Sequence, residues 1–270
     1  MLNDRNIILT GPPRSGTTLA CFLLNKVRQT YALHEPMNLK LFPDPDTGMQ
    51  SIRDFFGDMR TSLWTEGKAL SKASGSAIPD NPFRQEKGQL RQSIVRKEWV
   101  SFPRPEDRSF FLVIKQNAHF TFLLDRLIHE FPCAAILRNP ISVIASWNTI
   151  DAPVARGTLT VLETLDPAFH ARLEQIPDLL DRQIVLLDAM FQRYRDTPGL
   201  TIVRYEEMIA SSGQALSAIV PGALELHEPL ESRNRSSIYD PEVMERIKTS
   251  VLAFRGAWLD YYPEQVLQKT

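Results

Sequence analysis

The sequence predicts an α/β fold, with a central parallel sheet of about five strands flanked by helices. Three observations carry that expectation. Apolar runs of strand length alternate with segments of helical periodicity along the chain. The inner runs are apolar without interruption, as strands buried on both faces must be. A glycine-bounded loop, GPPRSG at residues 11–16, joins the first apolar run to the first helical segment.

The elements follow in order. NIILTG (6–11) reads as the first strand and TTLACFLLNKVRQ (17–29) as its helix, with Leu19, Phe22, Leu23 and Val27 on one face. YALHEP (31–36) is a short second strand stopped by Pro36. FFLVIK (110–115) is a third, followed by a helix through FTFLLDRLIHEF (120–131). CAAILR (133–138) is a fourth, and its helix begins at NPISVIASW (139–147), with Asn139 as N-cap and Pro140 in the first turn. A long amphipathic helix is expected over 168–196, and LTIVRYEEMI (200–209) supplies a fifth strand and the start of a helix. Phe254, Trp258, Tyr261 and Tyr262 fall at helical spacing and read as core.

Residues 43–109 mix Pro, Gly, Ser and charges with only short apolar patches, and are too long for a simple connection. Residues 151–167 have a similar character. Both read as insertions, either lids and binding loops or plain surface elaboration. No internal repeat, low-complexity tract or clear linker interrupts the chain, so residues 1–270 read as one domain.

Composition narrows the function classes. Hydrophobic residues at 43% and charged residues at 23% describe an ordinary globular protein. A net charge of -1 argues against a broad nucleic-acid-binding surface. The longest apolar stretches are strand-sized, so no stable membrane insertion is expected, and MLNDRNIILTG runs almost directly into the first strand, leaving no room for a signal peptide. Cys21 and Cys133 each sit in an apolar context and read as reduced core residues of a cytoplasmic protein.

The glycine-bounded loop aims backbone N–H groups and the positive end of a helix dipole at an anion. Thr17 and Thr18 add hydroxyls at the same terminus, but nucleoside-triphosphate loops carry lysine where Thr17 stands. Magnesium-nucleotide enzymes of this architecture also need an acidic residue at a strand end. Here FFLVIK ends in Lys115 and CAAILR in Arg138, at the carboxyl ends of strands where ligands of such sheets bind. A site collecting Arg14, Lys115 and Arg138 suits a metal-free ligand with several separate anionic groups better than ATP. Ser146 lies two helical turns beyond Arg138, and such a pair can hold one phosphate between charge and hydroxyl. Trp147 reads as core packing.

At this point the residues resemble a known family. GPPRSGTTL (11–19) together with LRNPISVIASW (137–147) resembles the PAPS-dependent sulfotransferases, which move a sulfuryl group from 3'-phosphoadenosine 5'-phosphosulfate. The resemblance is to the group containing bacterial, carbohydrate and tyrosylprotein enzymes, and is less close to the cytosolic small-molecule enzymes, whose loop carries lysine. It implies a P-loop, nucleotide-kinase-like three-layer fold, PAPS as donor, PAP as product and no metal. It implies that Pro13, Arg14, Ser15, Gly16, Thr17 and Thr18 wrap the 5'-phosphosulfate while Arg138 and Ser146 grip the 3'-phosphate. IVRYEEM (202–208) resembles the family's fifth strand, with Tyr205 near the adenine. In ESRNRSSIYD (231–240), Arg233, Arg235 or Ser236 would close over the nucleotide, although the family's glycine-rich version of that loop is absent and a solvated loop is the alternative.

For the chemistry, Arg14 and Lys115 would stabilise charge on the leaving phosphate, and a poorly acidic alcohol needs a general base. Glu35, in LHEP (33–36), resembles the family's catalytic glutamate. It is preferred to His34 because side chains alternate along a strand and only one of the pair should face the ligand. A salt bridge to a site cation is the other role open to Glu35. His119, four residues after Lys115, is a further candidate base, with packing on its own helix as the alternative. The expected acceptor is the hydroxyl of a saccharide, glycolipid or natural product, chosen by the two insertions. An atypical P-loop kinase and a non-catalytic PAP-binding protein are the competing functions.

Overall fold

A computed structural model of the chain describes residues 3–84 and 90–269; residues 85–89, inside the first insertion, lie outside the described residues. The strands are β1 (Asn6–Thr10), β2 (Thr30–His34), β3 (Lys68–Ala73), β4 (Phe83–Arg84), β5 (Gln92–Ser93), β6 (Arg96–Ser101), β7 (Phe111–Lys115), β8 (Cys133–Leu137) and β9 (Thr201–Arg204). The helices are α1 (Thr17–Leu24), α2 (Pro45–Glu66), α3 (Asn117–Thr121), α4 (Leu124–Leu127), α5 (Pro140–Trp147) and α6 (Leu162–Leu165). They continue as α7 (Pro167–Glu174), α8 (Leu179–Arg195), α9 (Tyr205–Ala210), α10 (Pro241–Phe254) and α11 (Glu264–Gln268).

The central sheet has five strands in the order β2-β7-β1-β8-β9, all parallel, as expected. Alternation along each inner strand divides its side chains between two cores. Ile8, Leu112, Ile114, Ala135 and Leu137 enter one. Ile7, Leu9, Val113, Ala134 and Ile136 enter the other. Both faces are thereby covered by helices, which is why these strands carry no polar alternation. Cys21 and Cys133 are buried and unpaired, and burial pushes each thiol up to about 12.

Several boundaries differ from the sequence expectation. The first helix stops at Leu24, and Asn25, whose N–H still donates to the Cys21 carbonyl, ties its end to β2: the Asn25 side chain donates to the Ala32 carbonyl and accepts from the Ala32 N–H, both at 2.8 Å. The segment 120–131 forms two short helices rather than one. The helix expected over 168–196 breaks between Glu174 and Leu179, around Pro177, and Asp178 caps the second piece by accepting from the Asp181 N–H at 3.0 Å. Trp258 and Tyr262 are buried, but Phe254 is 44% exposed and Tyr261 half-buried. The four do not share a helix face, because α10 ends at Phe254 and Arg255 turns left-handed with φ 55.

The first insertion contains structure that its composition hides. Asp44 caps α2, which buries Met49, Ile52, Phe56, Met59 and Leu63 at helical spacing. β3 and β6 then form an antiparallel pair, and Ser71 Oγ accepts from the His34 N–H at 2.9 Å, holding β3 at the end of β2. No described helix is long and apolar enough to cross a membrane.

Candidate functional site

The loop after β1 is held open by backbone geometry. Gly11 and Gly16 have φ of 143 and 98. A Cβ on Gly11 would lie 2.3 Å from the Ile136 carbonyl, and one on Gly16 would lie 2.6 Å from the Tyr205 ring. Ser15 N–H donates to the Pro12 carbonyl at 3.1 Å, while Ser15 Oγ is buried without a hydrogen-bond partner. Trp147 is fully buried, as its core reading requires, and also donates from Nε1 to the Pro13 carbonyl at 2.7 Å. Thr17 and Thr18 open α1 beside the loop.

Three arginines converge beyond the loop. Ser146, buried on α5, accepts from Arg91 Nη2 at 3.1 Å and from Arg14 Nε at 3.3 Å. Arg138, at the end of β8, donates to the Arg14 carbonyl at 3.1 Å, to the Arg233 carbonyl at 2.6 Å and to Asn234 Oδ1 at 2.7 Å. Arg91 also reaches Thr149 Oγ1 at 3.2 Å, and Arg14 reaches Asn81 Oδ1 at 3.3 Å. These partners are all neutral. Burial, then the charges of Arg91 and Arg138, push Arg14 down to about 9. A guanidinium still stays protonated at neutral pH, so Arg14 is a buried cation with two others beside it.

Arg138 and Ser146 therefore share a cluster without bonding each other directly. Tyr205 lies beneath Arg138, with the guanidinium 4.7 Å from its ring centroid, and its hydroxyl accepts from the Arg233 N–H at 2.9 Å. The late loop is thus tied down through backbone: the Arg233 side chain is exposed at the cleft rim, Ser236 lines the cleft, and Arg235 turns away to the Lys269 carbonyl. Glu206 fixes Asn234 by accepting from its Nδ2 at 2.7 Å.

A second cluster forms at the ends of β2 and β7. Lys115 is 2% exposed and pairs with Glu35 Oε1 at 2.6 Å, while Lys72 of β3 pairs with Glu35 Oε2 at 2.7 Å. His34 Nδ1 lies 3.4 Å from the same Lys115 ammonium. Strand alternation, which would have sent only one of His34 and Glu35 to this side, fails because Glu35 stands just past the strand with φ 41. Burial raises the Glu35 carboxyl, but the ammonium groups of Lys115 and Lys72 outweigh it and hold the group well below its usual range. Burial and Lys115 push His34 down to about 3, leaving a neutral ring. Lys115 is lowered by burial against the pull of Glu35. His119 sits on α3 with its ring centroid 4.5 Å from that of Phe42, and it also lines the cleft; burial lowers it to about 4.

Both clusters open into one cleft of about 920 Å³. The first insertion contributes Lys72, Phe83, Arg91 and Lys97 to its wall, and the second contributes Val154, Leu159 and Val161. Sequence reasoning missed Arg91, Lys72 and Lys97, because they belong to an insertion without a readable motif, and passed over Asn234 for its charged and hydroxyl neighbours in the late loop. Among the described residues, no group of three or more His, Cys, Asp or Glu side chains could hold a metal ion.

The chain is similar in shape to bacterial sulfotransferases of known structure. The enzyme from Alicyclobacillus acidocaldarius is 15% identical, with 92% of this chain and 91% of that chain covered and a TM-score of 0.46. Sulfotransferase STF1 from Mycobacterium tuberculosis is 16% identical over 92% and 76% of the two chains, with a TM-score of 0.37. STF9 from Mycobacterium avium is 14% identical over 97% and 69%, again at 0.37. No curated protein matches the sequence. The sulfotransferase family model matches residues 6–222, a span that takes in the glycine-bounded loop, Glu35, both strand-end cations and Ser146. With the greater part of its length matched, the chain belongs to the sulfotransferase family.

Proposed function

We propose that this sulfotransferase takes its sulfuryl group from PAPS and delivers it to a hydroxyl acceptor, with Glu35 as general base and residues 1–270 acting as one domain. The observation that carries the reading is the arginine cluster: Arg14, Arg91 and Arg138 converge around Ser146 with only neutral partners. Like charges with no carboxylate bonded to them among the described residues call for an anion, and two separated anionic groups suit a nucleotide phosphorylated at both 3' and 5' positions. The orphaned Ser15 Oγ supports an anion held in the loop, whose close packing on Ile136 and Tyr205 requires glycine at 11 and 16.

On this reading the loop amides with Arg14, Thr17 and Thr18 hold the 5' end, Arg138, Ser146 and Arg91 hold the 3'-phosphate, and Tyr205 with the Arg233 loop borders the base. PAPS supplies an activated sulfuryl group and a stable leaving phosphate. Glu35 is ionised at neutral pH and can take the acceptor's proton at a carboxylate oxygen. Its basicity is restrained by Lys115, so negative charge that draws the Lys115 ammonium away frees the base as the hydroxyl attacks. Lys115 and Arg14 remain to stabilise the departing phosphate. The buried, unpaired cysteines fit the reducing cytoplasm.

Equilibrium binding tests the reading. PAP should bind more tightly than 5'-AMP or magnesium-ATP, and Arg138→Ala should weaken PAP by about 30–100-fold while leaving 5'-AMP far less affected. Glu35→Gln should retain PAP but lose about 10²–10⁴-fold in PAPS turnover. Equal losses of PAP and 5'-AMP would refute the 3'-phosphate assignment, and an active Glu35→Gln enzyme would refute the base.

A further inference from the structure

Resting on that reading and extending it, we propose that the acceptor hydroxyl belongs to an anionic molecule, and that Lys97, with Lys72, selects it by its charge.

Lys72 and Lys97 are direct partners across the antiparallel β3–β6 pair. Directly opposed residues project to the same face of a two-stranded pair, and like charges placed there repel. Both line the cleft. Among the described residues Lys97 has no ion-pair partner, and the Glu35 carboxylate that offsets the repulsion is already shared by two other lysines. Lys72 Nζ shares Glu35 with Lys115, whereas Lys97 Nζ donates to the neutral Asn38 Oδ1 at 2.5 Å. A lysine on an open strand pair would ordinarily extend its ammonium into water. Lys97 is half-buried, and burial, together with the charge of Lys72, lowers it.

Among the described residues, the charge balance at this end of the cleft is therefore three ammonium groups, on Lys72, Lys97 and Lys115, against the carboxylate of Glu35. The other carboxylates that line the cleft sit on different segments. Asp80 adjoins Asn81, which meets Arg14; Asp151 pairs with Arg156; Glu231 is on the loop beneath Arg138. The excess positive charge thus flanks the proposed base. A carboxylate, sulfate or phosphate on the acceptor, close to the reacting hydroxyl, would supply the missing counter-charge. Lys97 is then a specificity residue, and its contact with Asn38 keeps it directed into the cleft.

The test uses acceptor pairs differing in charge: p-nitrophenyl β-glucoside against p-nitrophenyl β-glucuronide, and glucose and N-acetylglucosamine each against its 6-phosphate. PAP release from PAPS is followed in the wild-type protein, Lys97→Gln and Lys97→Arg. At least one anionic member should be favoured over its neutral partner by about tenfold in kcat/KM. That ratio should fall toward one in Lys97→Gln and return in Lys97→Arg, with the ratio falling more steeply at low salt than at high. Anionic members that turn over no faster than their partners, zero included, overturn the proposal, as does a ratio that survives Lys97→Gln. If PAP binds in either case, the sulfotransferase reading stands; failure to bind PAP at all overturns that underlying reading instead.

Discussion

Replacing Glu35 by glutamine should make the stability of this protein depend on pH in a way the wild type does not. The substitution removes the charge shared by Lys115 at 2.6 Å and Lys72 at 2.7 Å. The two partners contribute unequally. Lys72 is 37% exposed at its side chain, and solvent screening limits its share to about 1 kcal/mol or less. Lys115 is buried, and stranding a buried charge costs about 3–5 kcal/mol, with glutamine's retained oxygen placing the loss near 3. With an unfolding entropy of about 2.1 cal/mol/K per residue, that total lowers Tm by roughly 5–7 °C at neutral pH. The sign with pH follows from linkage. The wild-type carboxylate has a depressed pKa, so its contribution is present above the unfolded value of about 4.3 and is lost as pH falls through the folded value. Without Glu35, Lys115 is depressed further, so the folded variant binds fewer protons than the unfolded chain and regains stability as pH rises toward about 10.4. Thermal melts of both proteins from pH 3 to 9.5 should therefore show a gap that is widest near neutrality and narrows toward both ends. A gap that stays constant, or widens above pH 8, would refute the coupling of Lys115 to Glu35.

Two further substitutions probe the framework behind the site. Gly16→Ala adds a Cβ 2.6 Å from the Tyr205 ring at a residue with φ 98, so it should lose about 1–3 kcal/mol in stability and weaken PAP binding; a normal Tm with normal PAP affinity would mean that the loop tolerates a side chain there. Asn25→Ala removes both 2.8 Å bonds to Ala32 and should cost about 1–3 kcal/mol, read from denaturant melts, and an unchanged midpoint would remove Asn25 as a stabilising tie between α1 and β2.

The sheet was legible because its signals are local. An apolar run such as FFLVIK states its own burial, and the two cores are simply the odd and even members of each run. The glycine loop, Lys115, Arg138 and Ser146 were legible for a related reason: each is placed by its position at the end of a strand or on the helix that follows. Legibility faded where a local rule met a tertiary constraint. Strand alternation failed at Glu35 because a left-handed residue turned the chain as β2 ended. Helical periodicity ran through 168–196, but Pro177 lies in the break between the two pieces. In α2 the periodic apolar face is diluted by Gly48, Gly57 and charged neighbours, and the helix was hidden by its composition.

The sequence by itself determined a parallel α/β sheet, the loop between β1 and α1 and the cations at the strand ends, since periodic burial and strand polarity are written in consecutive residues. Only the tertiary structure decided which charges meet. Arg91, Lys72 and Lys97 come from an insertion with no motif, and Arg14 finds Ser146 across 132 residues of chain. Such meetings depend on how crossovers and insertions pack around the sheet, and side-chain charge acts through space, where spacing along the chain no longer measures distance.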